Sequence, residues 1–195
     1  MSKQSREKIL TTAMRLFYFQ GFHGTGLNQI LKESGAPKGS LYHYFPEGKE
    51  QLAEEAIKLS RQLIGDVIEH YMREKDSVEE ALSAHLMAMA DLFNQENGVF
   101  SEKAHLMMPF GLLAAETAFM NERLREACSD TYQYWESLYF AKLLKSGYRA
   151  SDATVISQLI STLIEGAVTL SLTKKTNEPL ILVSEIIPTI LQKYK

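Results

Sequence analysis

Apolar positions recur every three to four residues from end to end of the chain, and no strand-like alternation of useful length interrupts them. Ile9, Leu10, Ala13, Leu16 and Phe17 share one face of a helix predicted over residues 3–20, which Gly21 of "QGFHG" should end. Thr25 stands where an N-cap belongs, ahead of Leu27, Ile30 and Leu31, and this short second helix should stop at Ser34-Gly35. Pro37 opens a third helix, in the turn where a missing N–H leaves no bond unmade. Longer helices follow. Leu52, Ala56, Leu59, Leu63 and Val67 run down one that reaches about Met72, and Asp76 or Ser77 can cap the next, which carries Ala81, Leu82, Leu86, Met89, Leu92 and Phe93 as far as "NQENG". "MPFGLLAAE" puts Pro109 and Gly111 at a helix start that a ligand could re-set. A long helix over residues 121–146 should end at Gly147, and Ser151 should cap another that runs to about Lys174. Pro179 starts the last, where Pro188 should kink the helix or bring its end closer. The expected fold is all-α.

The third helix has two distinct faces. Leu41 and Phe45, four apart, point inward, while Lys38 with Tyr42 and Gly39 with His43 form outward pairs. Two short helices around a tight glycine turn, the second with an outward polar face, read as a helix-turn-helix. Lys38 is a mobile cation suited to phosphate or a guanine edge. Gly39 lets the helix start approach a backbone closely, where its amides can donate to phosphate. Tyr42, His43 and Tyr44 offer flat rings with polar tips for sugars, thymine methyls and phosphates, and Lys49 lies just beyond. The plainer alternative is a small helical subdomain whose rings pad a core.

Charge is distributed to match the first reading. Residues 1–50 hold seven Lys/Arg against four Asp/Glu, a balance of +3, so the net −3 of the whole chain leaves −6 on the remainder. A basic head on an acidic body suits a nucleic-acid partner. At 45% hydrophobic and 23% charged residues, the 195-residue chain is expected to be globular. The longest apolar run, "TVISQLISTLIEGAVTLSL", is interrupted by Gln158 and Glu165, so no membrane span is expected. The N-terminal "MSKQSREKIL" has no signal core, and the single cysteine, Cys128, forms no internal disulfide, so a cytoplasmic location is expected. The five histidines show no metal-ligand spacing, and no cofactor motif occurs.

"LFYFQGFHGTGLNQILKESGAPKGSLYHYFPEGKEQL" strongly resembles the DNA-binding region of the tetracycline-repressor (TetR) family, over residues 8–55. The matching series is Ala13 and Phe17, Gly21-Phe22, Thr25, Ile30, Gly35, Gly39, Leu41-Tyr42, Tyr44-Phe45, Lys49-Glu50 and Leu52. Within the family, "GAPKGSLYHYFPEGKEQL" with Pro37 looks most like the branch containing the lincomycin-resistance repressors. The resemblance implies a three-helix DNA-binding head (1–48) joined to a larger helical effector-binding and dimerisation body (49–195). It also implies that Thr25, Lys38, Gly39, Ser40, Tyr42, His43, Tyr44 and Lys49 contact DNA, mostly its phosphates. Two positions depart from the pattern. Gly26 replaces a second hydroxyl residue, and "FPEGKE" is one residue longer than usual, which alters the aim of Lys49.

Five of the eight methionines lie between residues 87 and 120, with aromatic residues around and after them. Such side chains build adaptable walls for flat apolar ligands, and equally build ordinary cores. Since family members carry an effector cavity here, the expected pocket is Met89, Phe93, Met107, Met108, Phe110, Glu116, Tyr132, Trp135 and Tyr139, with Glu116 either a polar wall group or a surface ion-pair partner. Leu159, Leu163, Gly166, Leu170, Ile186 and Ile190 leave surplus apolar surface on the last two helices, which the family uses as a four-helix dimer interface. The expected function is a homodimeric transcriptional regulator, a repressor released from a palindromic DNA operator by a small planar effector. A DNA-binding protein of the same fold without an effector is the alternative. An all-helical enzyme lacks a nucleophile–base pair or metal set, so no enzymatic activity is expected.

Overall fold

The computed structural model describes residues 3–93 and 110–195, and every regular element among them is helical. In chain order they are α1 (Lys3–Gly24), α2 (Leu27–Ser34), α3 (Lys38–Tyr44), α4 (Lys49–Glu74), α5 (Val78–Phe93), α6 (Phe110–Thr117), α7 (Glu122–Lys145), α8 (Ala150–Lys174) and α9 (Glu178–Gln192). Packing groups them into two units, one of residues 1–60 and 105–131, the other of residues 61–104 and 132–195. The first unit therefore takes in more chain than the 1–48 head expected from sequence.

In the first unit α1 packs against α2, α3 and α6. Ile9, Ala13, Leu16 and Phe17 of α1 are buried together with Ile30, Leu41, Phe45 and Leu52. Gly21 breaks α1 at φ 74°, ψ 171°, a backbone conformation strained for any residue with a Cβ. Gly35 closes α2 in the left-handed region. The N-cap of α2 is Gly26 and not Thr25, which corrects the expected cap. The Thr25 hydroxyl instead donates backward to the Gly21 carbonyl at 2.8 Å, so it secures the break in α1.

In the second unit α5 packs on α9 and α8, and α8 packs on α9. Ser77 caps α5 as expected, its hydroxyl accepting the Glu80 N–H at 3.1 Å. Ser151 does not cap α8. Arg149 holds the N-cap position, and its guanidinium reaches Asp152 in the first turn at 2.6 Å. Pro188 lies inside α9, which continues through it to Gln192.

Helix α8 is long and apolar enough, at a mean hydropathy of 1.5, to pass for a membrane span by length and composition. Its apolarity has another source, since it is apolar on two sides. Ala153, Ile156, Ile160 and Ala167 are buried, while Val155 and Leu170 are exposed.

Candidate functional site

Seven residues are too few for a helix to persist alone, so α3 depends on the side chains that anchor it. Leu41 and Phe45 are fully buried, and the Arg6 guanidinium lies 5.5 Å from the Phe45 ring centre. The opposite face is free of the core. Lys38, Gly39, Tyr42 and His43 are all exposed, Tyr42 at 47%. A Cβ added at Gly39 would meet nothing within 4 Å, so packing does not require glycine there. Tyr44 is half-buried, its ring 4.9 Å from that of His43 in an edge-on arrangement.

Two residues expected on the DNA side face inward instead. Thr25 is 1% exposed and Ser40 3% exposed. Thr25 spends its hydroxyl on Gly21, and Ser40 lies beside Leu41 at the buried edge of α3. Lys49 is half-buried with its ammonium 4.4 Å from the Phe22 ring centre. Burial lowers its pKa, and the negative charge of Glu116 opposes that effect.

Glu116 itself is engaged in a way its sequence position did not announce. Its carboxylate accepts the Phe22 N–H at 2.7 Å and the His23 N–H at 2.8 Å, from a position 94 residues away along the chain. Those amides follow the break at Gly21 and, like the first amides of any helix, need outside acceptors. A Cβ at Gly21 would stand 2.6 Å from the Glu116 Oε2. Arg123 of α7 joins Glu54 of α4, at 2.5 Å, and Glu47 in the turn ahead of α4.

Of the expected effector wall, Met89, Phe93, Tyr132, Trp135 and Tyr139 belong to the second unit, Phe110 and Glu116 to the first. Met107 and Met108 lie outside the described residues. Trp135 donates to the Arg61 carbonyl at 3.1 Å, and Tyr132 meets Trp135 edge-on at 5.8 Å. Sequence reasoning missed His85, which lies next to this group. It is fully buried, with Nε2 3.2 Å from the Tyr139 hydroxyl, and burial lowers its pKa to about 4. Its Nδ1 has no hydrogen-bond partner among the described residues. The available signal was its register, between Leu82 and Met89 on the buried stripe of α5. Cys128 is also buried, which raises its thiol pKa to about 11.

The expected self-association residues all keep some exposure: Leu159, Leu163 and Ile190 are half-buried, while Gly166, Leu170 and Ile186 are exposed. Val155 extends this stripe on α8 and Leu182 on α9, both exposed and both missed from sequence.

Residues 9–56 match the model of the bacterial regulatory proteins of the tetR family, and residues 78–186 match that of the C-terminal domain of LmrA/YxaF-like transcriptional regulators. The HTH-type transcriptional regulator YxaF of Bacillus subtilis (strain 168) is 44% identical over 97% of this chain and 96% of its own length. The HTH-type transcriptional regulator LmrA of the same organism is 45% identical over 97% of both chains. The fold resembles that of a TetR-family transcriptional regulator from Cytophaga hutchinsonii, with a TM-score of 0.81 at 19% identity, over all of this chain and 98% of that one. An outward polar face on α3, a body of packed long helices and these full-length similarities converge: the chain belongs to the TetR family of helix-turn-helix transcriptional regulators, with an LmrA/YxaF-like C-terminal domain.

Proposed function

We propose that the protein is a homodimeric repressor that holds a palindromic operator through two α3 faces and leaves it when a planar apolar or aromatic effector binds the body. Residues 1–48 supply the DNA-binding part, and residues 49–195 bind effector and partner. The observation that carries the reading is the division of α3 into a fully buried anchor, Leu41 and Phe45, and an exposed face of Lys38, Gly39, Tyr42 and His43. A face with cation, rings and no bulk at position 39 suits close approach to a phosphate backbone. Two-fold symmetry then requires half-sites about one helical turn apart, or a multiple of it. The apolar stripe of α8 and α9 supports self-association. The buried His85–Tyr139 pair beside Met89 supports a ligand with one polar group among flat apolar surface.

Binding to the DNA upstream of the protein's own gene, across a salt series, tests this reading. Tight, sequence-selective binding with a steep salt dependence is expected. Tyr42→Ala should weaken it about tenfold, by removing a ring and a hydroxyl from the contact face. An affinity unchanged by Tyr42→Ala at moderate salt would show that α3 presents some other face to DNA.

A further inference from the structure

Helix α1 does not end at Gly21. It breaks there and resumes for Phe22–Gly24. A break of this kind leaves amides without helical acceptors, and α2 begins six residues on, at Leu27. Two groups secure the break. Thr25 takes the Gly21 carbonyl from within the head. Glu116 takes the Phe22 and Phe22-adjacent His23 amides, and it comes from α6. Charge-assisted bonds to backbone amides are about twice as strong as neutral ones, so this is the stronger of the two restraints.

We infer that Glu116 is a clip by which α6 sets the position of the helix-turn-helix, and hence a positioning residue for operator binding. The inference rests on the DNA-binding reading above. It assigns the control of that face to one carboxylate outside the three head helices. Three observations converge on the same point. The carboxylate receives both amides in good geometry, at 2.7 and 2.8 Å. Gly21 leaves room for it, since any side chain there would collide with its oxygens. Its charge also acts on Lys49, whose ammonium covers the Phe22 ring on the same amide's residue. A displacement of α6 would thus release two backbone amides and the electrostatic partner of a proposed DNA contact together. In sequence, α6 begins two residues after Met108.

The test uses the full chain and the isosteric Glu116→Gln, whose amide offers one acceptor oxygen to two N–H donors. Hydrogen exchange read at the Phe22 and His23 amides should rise about tenfold or more in the variant. Operator affinity should fall by a similar factor, while the thermal unfolding midpoint moves by only a few degrees. Exchange is read without DNA, so the two readings fail separately. A wild-type chain with protected amides but no operator binding overturns the proposed function alone. Unchanged exchange at both amides in Glu116→Gln shows that the clip does not operate. Faster exchange with unchanged operator affinity shows that it operates but does not position the head. A loss of affinity that merely follows a large drop in the unfolding midpoint assigns Glu116 to stability and overturns the positioning role.

Discussion

His85 is a histidine that burial keeps neutral, and this makes it a pH-dependent contributor to stability. Its folded pKa is lowered to about 4 from the ordinary 6.5. Between those values the unfolded chain binds the proton and the folded chain does not, so stability falls as pH falls through this window. Above pH 6.5 the contribution is complete, and below about pH 4 it is lost. The gap is worth roughly 3 kcal/mol. Denaturant titrations should show that His85→Gln flattens the unfolding free energy between pH 6.5 and 4. An undiminished slope in the variant would assign the acid sensitivity to other groups. The imidazole was invisible as a candidate in the sequence because a lone histidine on an apolar stripe carries no motif. Its interest comes from Tyr139, 54 residues away in the chain.

Helices were far more legible than the side chains that secure them. Apolar periodicity placed most of the helices to within a few residues, because burial on one face of a helix is written directly into local spacing, while the start of α6 was read from Pro109 and Gly111. Caps failed at Thr25 and Ser151 for a related reason. A hydroxyl near a helix start can serve several backbone groups, and Thr25 serves the preceding turn. The exposed face of α3 was partly legible: the exposure of Lys38, Gly39, Tyr42 and His43 follows from helical phase, whereas the burial of Thr25 and Ser40 does not. Non-local partners were not legible at all, as the bond from α6 to α1 shows. Helix α4 offers a test of such a partner. At Gly65 a Cβ would stand 2.5 Å from the Tyr134 ring of α7, whose other neighbours include the Arg61 guanidinium at 4.5 Å. Alanine would gain about 1 kcal/mol in helix propensity over glycine, but it must displace that ring. Gly65→Ala alone should therefore destabilise the fold, by about 1–3 kcal/mol. In a Tyr134→Ala background the same change should stabilise it. Thermal unfolding of the three variants decides the matter, and a stabilising single substitution would mean that the ring yields freely.

At the level of assembly, the chain presents apolar surface that one copy does not cover. Leu170 is 47% exposed on α8 and Leu182 64% exposed on α9. A two-fold contact between copies would bury both pairs and, on the proposed function, set the separation of the two α3 faces. Leu182→Glu should shift sedimentation from twice the chain mass toward the chain mass. With one half-site bound per molecule, operator affinity should drop by about 100-fold or more. A variant that remains a dimer would move the interface away from α9.

Gly21 and Glu116 also bear on how this regulator can drift over generations. Any side chain at position 21 meets both an unfavourable backbone angle and the oxygens of Glu116, while any shortening at position 116 strands the amides that follow position 21. Neither site can change first without loss, and changing both removes the collision but not the backbone strain. If the clip positions the head as proposed, single-step paths away from this pair lead through weaker operator binding, as on a ratchet. Relatives that lack the carboxylate are then expected to carry a differently built end to their first helix, and not merely another residue in the same place.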